Sequence, residues 1–183
     1  INISSSDQKL VSNVKAVVSS YNSLRGKIDE VTYFDEQSQA TGILFGSSEV
    51  LRIESALSSL ATRPFYGVGS IRSLEEIGVS AKDDGTLVFT ESKLKEKFQD
   101  DPAAVEQFFT TATLGFADKF KATVDMLAGE GNSLLVSRSD ALQDKIDANN
   151  ERVEFLEQRL ETERERLMLH FYTMEMAISK IQS

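Results

Sequence analysis

Few residues of this sequence have types and spacings that could do chemistry, and the single histidine, His170, is the first of them. A catalytic histidine needs an acid that orients its imidazole and a nucleophile nearby, all within a concave site. His170 lies instead in the stretch 139–182, which lacks glycine and proline and predicts an extended helix, where pockets are rare. We therefore interpret His170 as a polar residue on a helix contact surface, with a pH-sensitive contact as the alternative.

Acidic residues recur along the same predicted helix and could suggest a dinuclear metal site. Such a site needs paired Glu-x-x-His elements that face one bundle core, and the stretch contains none. Nearly all of these acids lie away from the apolar positions, so we interpret them as a solvated face. The pairs Glu161 with Arg164 and Glu163 with Arg166 are expected to add weak support to the helix. The acids are Asp140, Asp144, Asp147, Glu151, Glu154, Glu157, Glu161, Glu163, Glu165 and Glu175.

The remaining short motifs each have a simpler interpretation. Asp83-Asp84-Gly85 could begin a calcium loop, but the later ligands of such a loop are missing and a tight turn fits better. The pair Gly67 and Gly69 lacks the third glycine and the βαβ unit of a dinucleotide site. No serine stands in a Gly-x-Ser-x-Gly elbow, and cysteine is absent. The sequence therefore predicts no catalytic residues, no metal and no cofactor.

Composition restricts the classes of partner. The net charge of -9 repels phosphate backbones, so no nucleic-acid partner is expected. No apolar run approaches the length of a membrane span, and the first ten residues, INISSSDQKL, do not form a signal peptide, so no membrane partner is expected. Without an initiator methionine, we interpret the chain as a fragment or a processed protein. Its 40% hydrophobic residues are enough for a folded core.

The fold class predicted from these patterns is mainly α with a small β-hairpin, divided into a helical domain of residues 1–138 and a C-terminal coiled-coil helix of residues 139–183. The hairpin is placed near 77–89, around the Asp83-Asp84-Gly85 turn. Helices are predicted at 7–34, at 48–62 after a serine cap, at 90–98, from the Asp101-Pro102 start to Phe109, and at 114–128. Residues 35–46 are predicted as a polar loop that ends in a small apolar patch, and 66–73 as a flexible connection. The inward side chains are predicted to be Val50, Leu51, Leu57, Leu60, Phe116, Phe120, Val124 and Leu127.

The first helix carries apolar residues that alternate steps of four and three, which is the pattern of a coiled-coil seam. The seam residues are Leu10, Val14, Val17, Tyr21, Leu24, Ile28 and Val31.

The last helix carries two columns of residues, each with a spacing of seven. Taken together, the two columns alternate steps of four and three, as in the first helix. One column, here called the apolar column, is wholly apolar and consists of Ile146, Val153, Leu160, Leu167, Met174 and Ile181. The other, the mixed column, is polar at every second place until its end and consists of Leu142, Asn149, Leu156, Glu163, His170 and Ala177. Polar residues on a seam weaken association while they select register and partner.

The two seams differ in length, about 22 residues in the first helix and about 40 in the last. One cannot cover the other, so about half of the long helix is expected to meet a partner outside this chain or another copy of it. The end of the helix has a second apolar side, for which burial in a helix bundle and a partner-docking surface remain equal alternatives. Its residues are Met168, Phe171, Tyr172, Met174, Met176 and Ile178.

The order and spacing of several short segments resemble the C-terminal region of the bacterial flagellar filament cap family, also called flagellar hook-associated protein 2. The resemblance covers nearly the whole chain. The segments are Val18-Ser-Ser-Tyr21-Asn22-Ser-Leu24, Thr32-Tyr33-Phe34-Asp35, Gly42-Ile-Leu44-Phe-Gly46-Ser47-Ser48, Leu74-Glu-Glu-Ile77-Gly78-Val79, Asp84-Gly85-Thr86-Leu87, Phe89 to Leu94, Pro102-Ala-Ala-Val105, Phe108-Phe109 and His170-Phe171-Tyr172-Thr-Met174-Glu175.

The resemblance implies a structural protein with no enzymatic activity. It implies a helical leg domain with a long coiled-coil helix, in a ring that is typically a pentamer at the distal tip of the flagellum. The implied partners are further copies of the chain, flagellin, the hook–filament junction proteins and an export chaperone. The implied route is export through the flagellar type III apparatus to the extracellular tip. The alternative from the residues alone is a coiled-coil adaptor or secreted effector that binds partner helices, and a helical-bundle metalloenzyme is the third class.

Overall fold

The computed structural model describes residues 4–182, and these divide into two compact units between Leu135 and Val136. Along the described chain the elements are α1 (Ser4–Thr32), α2 (Ser48–Thr62), a short 3-10 turn (Glu75–Ile77), β1 (Val79–Ala81), β2 (Leu87–Phe89), α3 (Glu91–Asp100), α4 (Pro102–Thr110), α5 (Phe116–Ala128) and α6 (Leu134–Gln182). The predicted fold class, mainly α with one small hairpin and a long last helix, is confirmed. The predicted division into two domains, residues 1–138 and 139–183, stays a prediction.

The first unit is built around α1 and the hairpin. Val11, Val14 and Val18 of α1 are buried in the main core, and their spacing of three and four places them on one side of the helix. Asn22 holds the hairpin to that helix through its side-chain amide. Its Nδ2 donates to the carbonyl oxygen of Leu87 and the Leu87 N–H donates to its Oδ1, both at 2.8 Å. This pair of bonds satisfies backbone groups of β2 that β1 does not reach.

The hairpin forms where the sequence predicts it. β1 and β2 are antiparallel, with Ser80 opposite Val88. In the turn, the Asp84 carboxylate accepts hydrogen bonds from the Thr86 hydroxyl at 2.6 Å and the Thr86 N–H at 2.8 Å. These bonds lower the pKa of Asp84 below its usual value. Gly85 has φ of 79°, a conformation that glycine adopts without strain.

Two helix starts in this unit have the side-chain caps that the sequence predicts, whereas Thr90, predicted to cap α3, precedes that helix without a side-chain capping bond. The Ala104 N–H donates to the Asp101 side chain at 3.0 Å and Pro102 takes the first helical position, so α4 begins as predicted. Ser47 caps α2 in the same way, by accepting from the Val50 N–H.

The segment predicted as a flexible connection, 66–73, is instead packed into the core, and that prediction is wrong. Val68 and Ile71 are almost fully buried, in line with Phe65 before them and Leu74 after them. These side chains recur every three residues on an irregular backbone, a spacing that matches neither a strand nor an α-helix. Gly67 and Gly69 have positive φ and provide the bends that keep the apolar residues inward.

Two inward positions were also predicted wrongly. Leu51 is 61% exposed, because the buried side of α2 consists of Val50, Ile53 and Leu57. Val124 of α5 is exposed too, whereas Leu127 is buried in a second core cluster with the α2 residues and Ile28. In each case the helix is as predicted and the contacts of its neighbours decide which side is buried.

The second unit is formed by the long helix α6 from Val136 onward. The helix itself begins at Leu134, five residues before the predicted start at Ser139. It continues without a break to Gln182, so its 49 residues extend for about 74 Å at 1.5 Å per residue. Within it, none of the described side chains is buried. Within residues 4–182, no helix is both long and apolar enough to cross a membrane.

Candidate interaction surface

The apolar column of α6 is an uncovered apolar stripe. Its residues range from 51% exposed at Ile146 to 84% exposed at Ile181. Their spacing of seven keeps them on one side of the helix, as in a coiled-coil seam. Exposed apolar stripes of this length are uncommon on monomers and mark surfaces that bind other proteins.

The mixed column follows the same helix beside the apolar column. Leu142 and Leu156 are exposed, as are Asn149 and His170, while Glu163 is partly covered. The Glu163 carboxylate forms an ion pair with Arg166 at 2.7 Å, and Glu161 forms one with Arg164 at 3.4 Å, so both predicted pairs are confirmed. Because the Glu163 carboxylate is already paired within one turn of its own helix, a partner that packs there must tolerate or displace a charged pair.

The C-terminal part of α6 is apolar on more than one side. Met168, Phe171, Tyr172, Met176 and Ile178 are all exposed in the structure. Methionine and aromatic side chains adapt to different partners, because methionine has three rotatable bonds and aromatic rings cover large areas. The assignment of these residues to partner docking stays a prediction.

The predicted seam of α1 is distributed between the core and the surface of the first unit. Val14 and Ile28 are buried, and Leu10, Val17, Tyr21 and Val31 are partly buried, whereas Leu24 is 42% exposed. Partial burial raises the pKa of Tyr21, and the nearby Arg25 charge opposes that shift. Sequence reasoning did not include Val11 and Val18 in the seam, although both are core residues. A coiled-coil role for the α1 residues in an assembled protein stays a prediction.

Arg25 fixes the position of α1 against α2. Its Nη1 forms an ion pair with Glu54 Oε1 at 2.8 Å, and both side chains are about three-quarters covered. Its Nε lies 3.6 Å from Asp29, too far for a hydrogen bond. Arg25 therefore packs the second core cluster against the first helix through a charged contact that solvent screens only in part.

The loop between α1 and α2 carries an apolar surface that sequence reasoning recorded only as a small patch. We call it the knob; its residues are Tyr33, Phe34, Ile43, Leu44 and Phe45, all exposed. Phe34 and Phe45 stack with ring centroids 5.6 Å apart. Backbone bonds fix the loop, with the Gly42 N–H donating to the Tyr33 carbonyl at 2.8 Å. The signal in the sequence was the concentration of bulky apolar residues on both sides of the polar stretch 35–41.

In the range 4–182 the structure has no group of three or more histidine, aspartate or glutamate side chains placed to hold a metal ion. The long helix and the knob are the features with the largest exposed apolar side chains described above.

Comparison with known proteins identifies related chains. A family model described as the C-terminus of flagellar hook-associated protein 2 matches residues 1–183. The chain is 29% identical over 173 residues to the A-type flagellar hook-associated protein 2 of Pseudomonas aeruginosa, an alignment that covers 92% of this chain and 36% of that protein. It is 27% identical over 153 residues to flagellar hook-associated protein 2 of Helicobacter pylori, covering 78% of this chain and 22% of that protein.

A crystal structure of the flagellar cap protein FliD from Escherichia coli has a similar fold. It aligns with a TM-score of 0.61 at 19% sequence identity, over 72% of this chain and 35% of that one. The chain thus spans between about a fifth and just over a third of the length of these relatives.

Proposed function

Since the chain belongs to the flagellar hook-associated protein 2 family, the filament cap proteins of bacterial flagella, we propose that it forms the leg region of a cap that contacts flagellin and promotes filament assembly at the distal tip. The family is one of structural proteins, and the proposed role needs contact surfaces instead of catalytic groups.

The observation that carries this proposal is the long helix with its uncovered apolar column. Burying one leucine-sized side chain of that column against a partner helix contributes about 1.5–3 kcal/mol. Six such residues can therefore hold a partner, while the polar places of the mixed column keep the contact exchangeable. A leg that moves from one flagellin subunit to the next needs this combination of grip and release.

The proposed partners follow from the cap assignment. They are other copies of the chain, expected as a pentamer, together with flagellin and the hook–filament junction proteins. An export chaperone would bind before secretion, and the apolar C-terminal part of α6 is the surface that suits it. The protein would reach the extracellular tip of the flagellum through the flagellar type III apparatus. We propose neither nucleic acid nor membrane as a partner, in view of the net charge of -9.

The test adds charge to the apolar column. In a strain that lacks the native gene, the intact gene is supplied with Leu160→Glu and Leu167→Glu, and electron microscopy measures filament length. The matched control is Gln158→Glu with Thr162→Glu, which adds the same charge on the opposite side of the helix. We expect short or missing filaments and free flagellin in the medium with the first pair, and normal filaments with the control.

Normal filaments with the column variant would refute the leg role of α6. Microscopy of the purified intact protein tests the alternative of a coiled-coil adaptor, since annular particles are expected of a cap and dispersed rods of an adaptor.

A further inference from the structure

The knob has the form of a fixed protrusion on the first unit. Ile43 at its tip is 90% exposed, which is extreme for a residue of its type. The loop is nevertheless well ordered by bonds, since the Leu44 N–H donates to the Val31 carbonyl at 2.8 Å. An added Cβ at Gly42 would lie 2.3 Å from that same Val31 oxygen, so the close approach of the two backbones requires glycine here. The same backbone contact therefore holds the apolar surface in place and restricts position 42 to glycine.

The same unit has an apolar groove of about 470 Å³ between α2 and α5. Its lining includes Leu60, Pro64, Tyr66, Leu114 and Met126. The side chains of Tyr66, Leu114 and Met126 are exposed. The groove is open and uncovered within the first unit, and its volume is enough for one or two bulky side chains.

A strained turn positions one wall of this groove. Thr113 has φ of 64°, which a β-branched residue adopts only when its surroundings impose it. The Thr113 N–H donates to the Asp118 carboxylate at 2.6 Å, and this bond holds the turn. The next residue, Leu114, is thereby directed over Gly67, where an added Cβ would come within 2.9 Å of its Cδ1. Backbone strain beside an exposed apolar wall is typical of a binding site.

The charges of the knob and the groove are opposite. The groove is lined by the basic residues Arg63 and Lys119, and no acidic residue lines it. Neither basic side chain has an ion-pair partner within the described part of the chain. The knob carries Asp35 and Glu36 directly after Phe34, both exposed. Opposite charges around apolar centres are the arrangement that aligns two protein surfaces.

We infer that the knob of one copy of this chain binds in the groove of the next copy. Phe45 and Ile43 enter between Tyr66 and Met126, and Glu36 reaches Arg63 at the rim. The contact joins two different surfaces of the same chain, and a contact of this heterologous kind closes into a ring when its rotation allows. The inference rests on the proposed function, in which the cap is a homo-oligomer, and it names the surfaces that join neighbours.

Such a contact is small compared with stable protein interfaces, which bury about 800 Å² on each partner. A single knob therefore binds weakly, and the ring gains strength because each added copy is held at high effective concentration by its neighbours. A weak joint of this kind also permits the copies to shift relative to one another.

Cross-linking tests the contact directly, because the chain contains no cysteine. The intact protein with Phe45→Cys and Tyr66→Cys, and with any cysteine outside this chain replaced by serine, is oxidised mildly at micromolar concentration. We expect a ladder of disulfide-linked multimers. The control pair, Phe45→Cys with Ser92→Cys, places the second thiol on exposed α3, which does not line the groove. Equal ladders from both pairs, or no ladder from the first, would overturn the inference.

Charge reversal gives an independent measure by sedimentation equilibrium of the intact protein. Glu36→Lys and Arg63→Glu are each expected to lower the association constant several-fold, and the double variant E36K/R63E to restore it within the same chain. Phe45→Ala is expected to lower it by about tenfold. Failure of the double variant to recover would count against the proposed pairing.

Filament growth separates this inference from the cap function. If Phe45→Ala shortens filaments while the association constant is unchanged, the knob binds flagellin and not a second copy. If association and filament length are both unchanged, the inference fails while the cap function stands. Loss of association together with impaired filament growth is the expected result.

Discussion

The two bonds between Asn22 and Leu87 should make Asn22→Ala one of the more damaging single changes in the first unit. The substitution leaves the N–H and the carbonyl of Leu87 without partners. Each unsatisfied backbone group costs about 1–3 kcal/mol, and partial exposure of this pair to water favours the lower half of that range. Alanine is a better helix former than asparagine by about 0.6 kcal/mol, which offsets part of the loss. The net loss of unfolding free energy is therefore about 1.5–3.5 kcal/mol for the two groups together, or roughly 4–10 °C in melting temperature.

Hydrogen exchange at the Leu87 amide provides the residue-specific assay, with urea unfolding as the global one. Ser23→Ala is the matched control, since Ser23 is the exposed neighbour of Asn22 on the same helix. We expect that control to change stability by less than about 0.5 kcal/mol. The bonds do not hold the hairpin to α1 if the Leu87 amide in Asn22→Ala exchanges as slowly as in the parent protein. The same conclusion follows if Asn22→Ala lowers the unfolding free energy no more than Ser23→Ala does.

Three further changes have expected outcomes. Replacing Glu163 and His170 together by leucine should raise the melting temperature of the helical assembly and impair filament growth, because the mixed column then binds more tightly. Gly26→Ala should stabilise the protein by about 1 kcal/mol in urea unfolding, since an added Cβ there meets nothing within 4 Å. Asp84→Asn should make stability less dependent on pH in acid. Its hydrogen bonds with Thr86 hold the Asp84 pKa below 3.8, so the stabilisation is present above about pH 4 and is lost as the pH falls through the lowered pKa.

Each of these has a result that contradicts it. Unchanged motility and an unchanged melting temperature in the double leucine variant would show that the polar places do not limit the grip of α6. A loss of stability in Gly26→Ala would mean that the site is crowded. Parallel curves of stability against pH for Asp84→Asn and the parent protein would mean that the turn carboxylate keeps an ordinary pKa.

Local signals in the sequence predicted the elements well. Asp101-Pro102 specifies a helix start by cap and backbone angle alone, and the turn at Asp84-Gly85 specifies a hairpin in the same way. The long helix was predicted for an equally local reason, the absence of any breaking residue over 139–182. These features need no knowledge of distant parts of the chain.

Contacts between distant residues could not be predicted in that way. In α1, Val11 and Val18 lie next to the predicted seam residues Leu10 and Val17, and they are buried because that side of the helix faces a core built from residues far along the chain. Asn22 and Leu87 are 65 residues apart, and an asparagine on a helix gives no sign of a partner on a strand. Val68 belongs to the same core cluster as Phe108 and Phe116, which lie at least 40 residues further along the chain.

The candidate interaction surface that lies on a single helix was predictable from the sequence. The apolar column follows from periodicity, because its residues share one side of one helix. The knob and the groove do not, since Phe34 and Phe45 meet only through the loop fold, and Tyr66 and Met126, which both line the groove, are 60 residues apart in the sequence.

The unbroken hydrogen-bond ladder of α6 has a kinetic consequence. Every backbone bond of this helix links residues four apart, so no distant partner has to arrive before it forms, and helix growth takes about a nanosecond per residue once a turn has nucleated. Neither of the two prolines lies in it, so no slow isomerisation interrupts it. The first unit must instead close loops as long as the one between Asn22 and Leu87. A chain that starts unfolded would therefore form α6 first and complete the fold of the first unit afterwards.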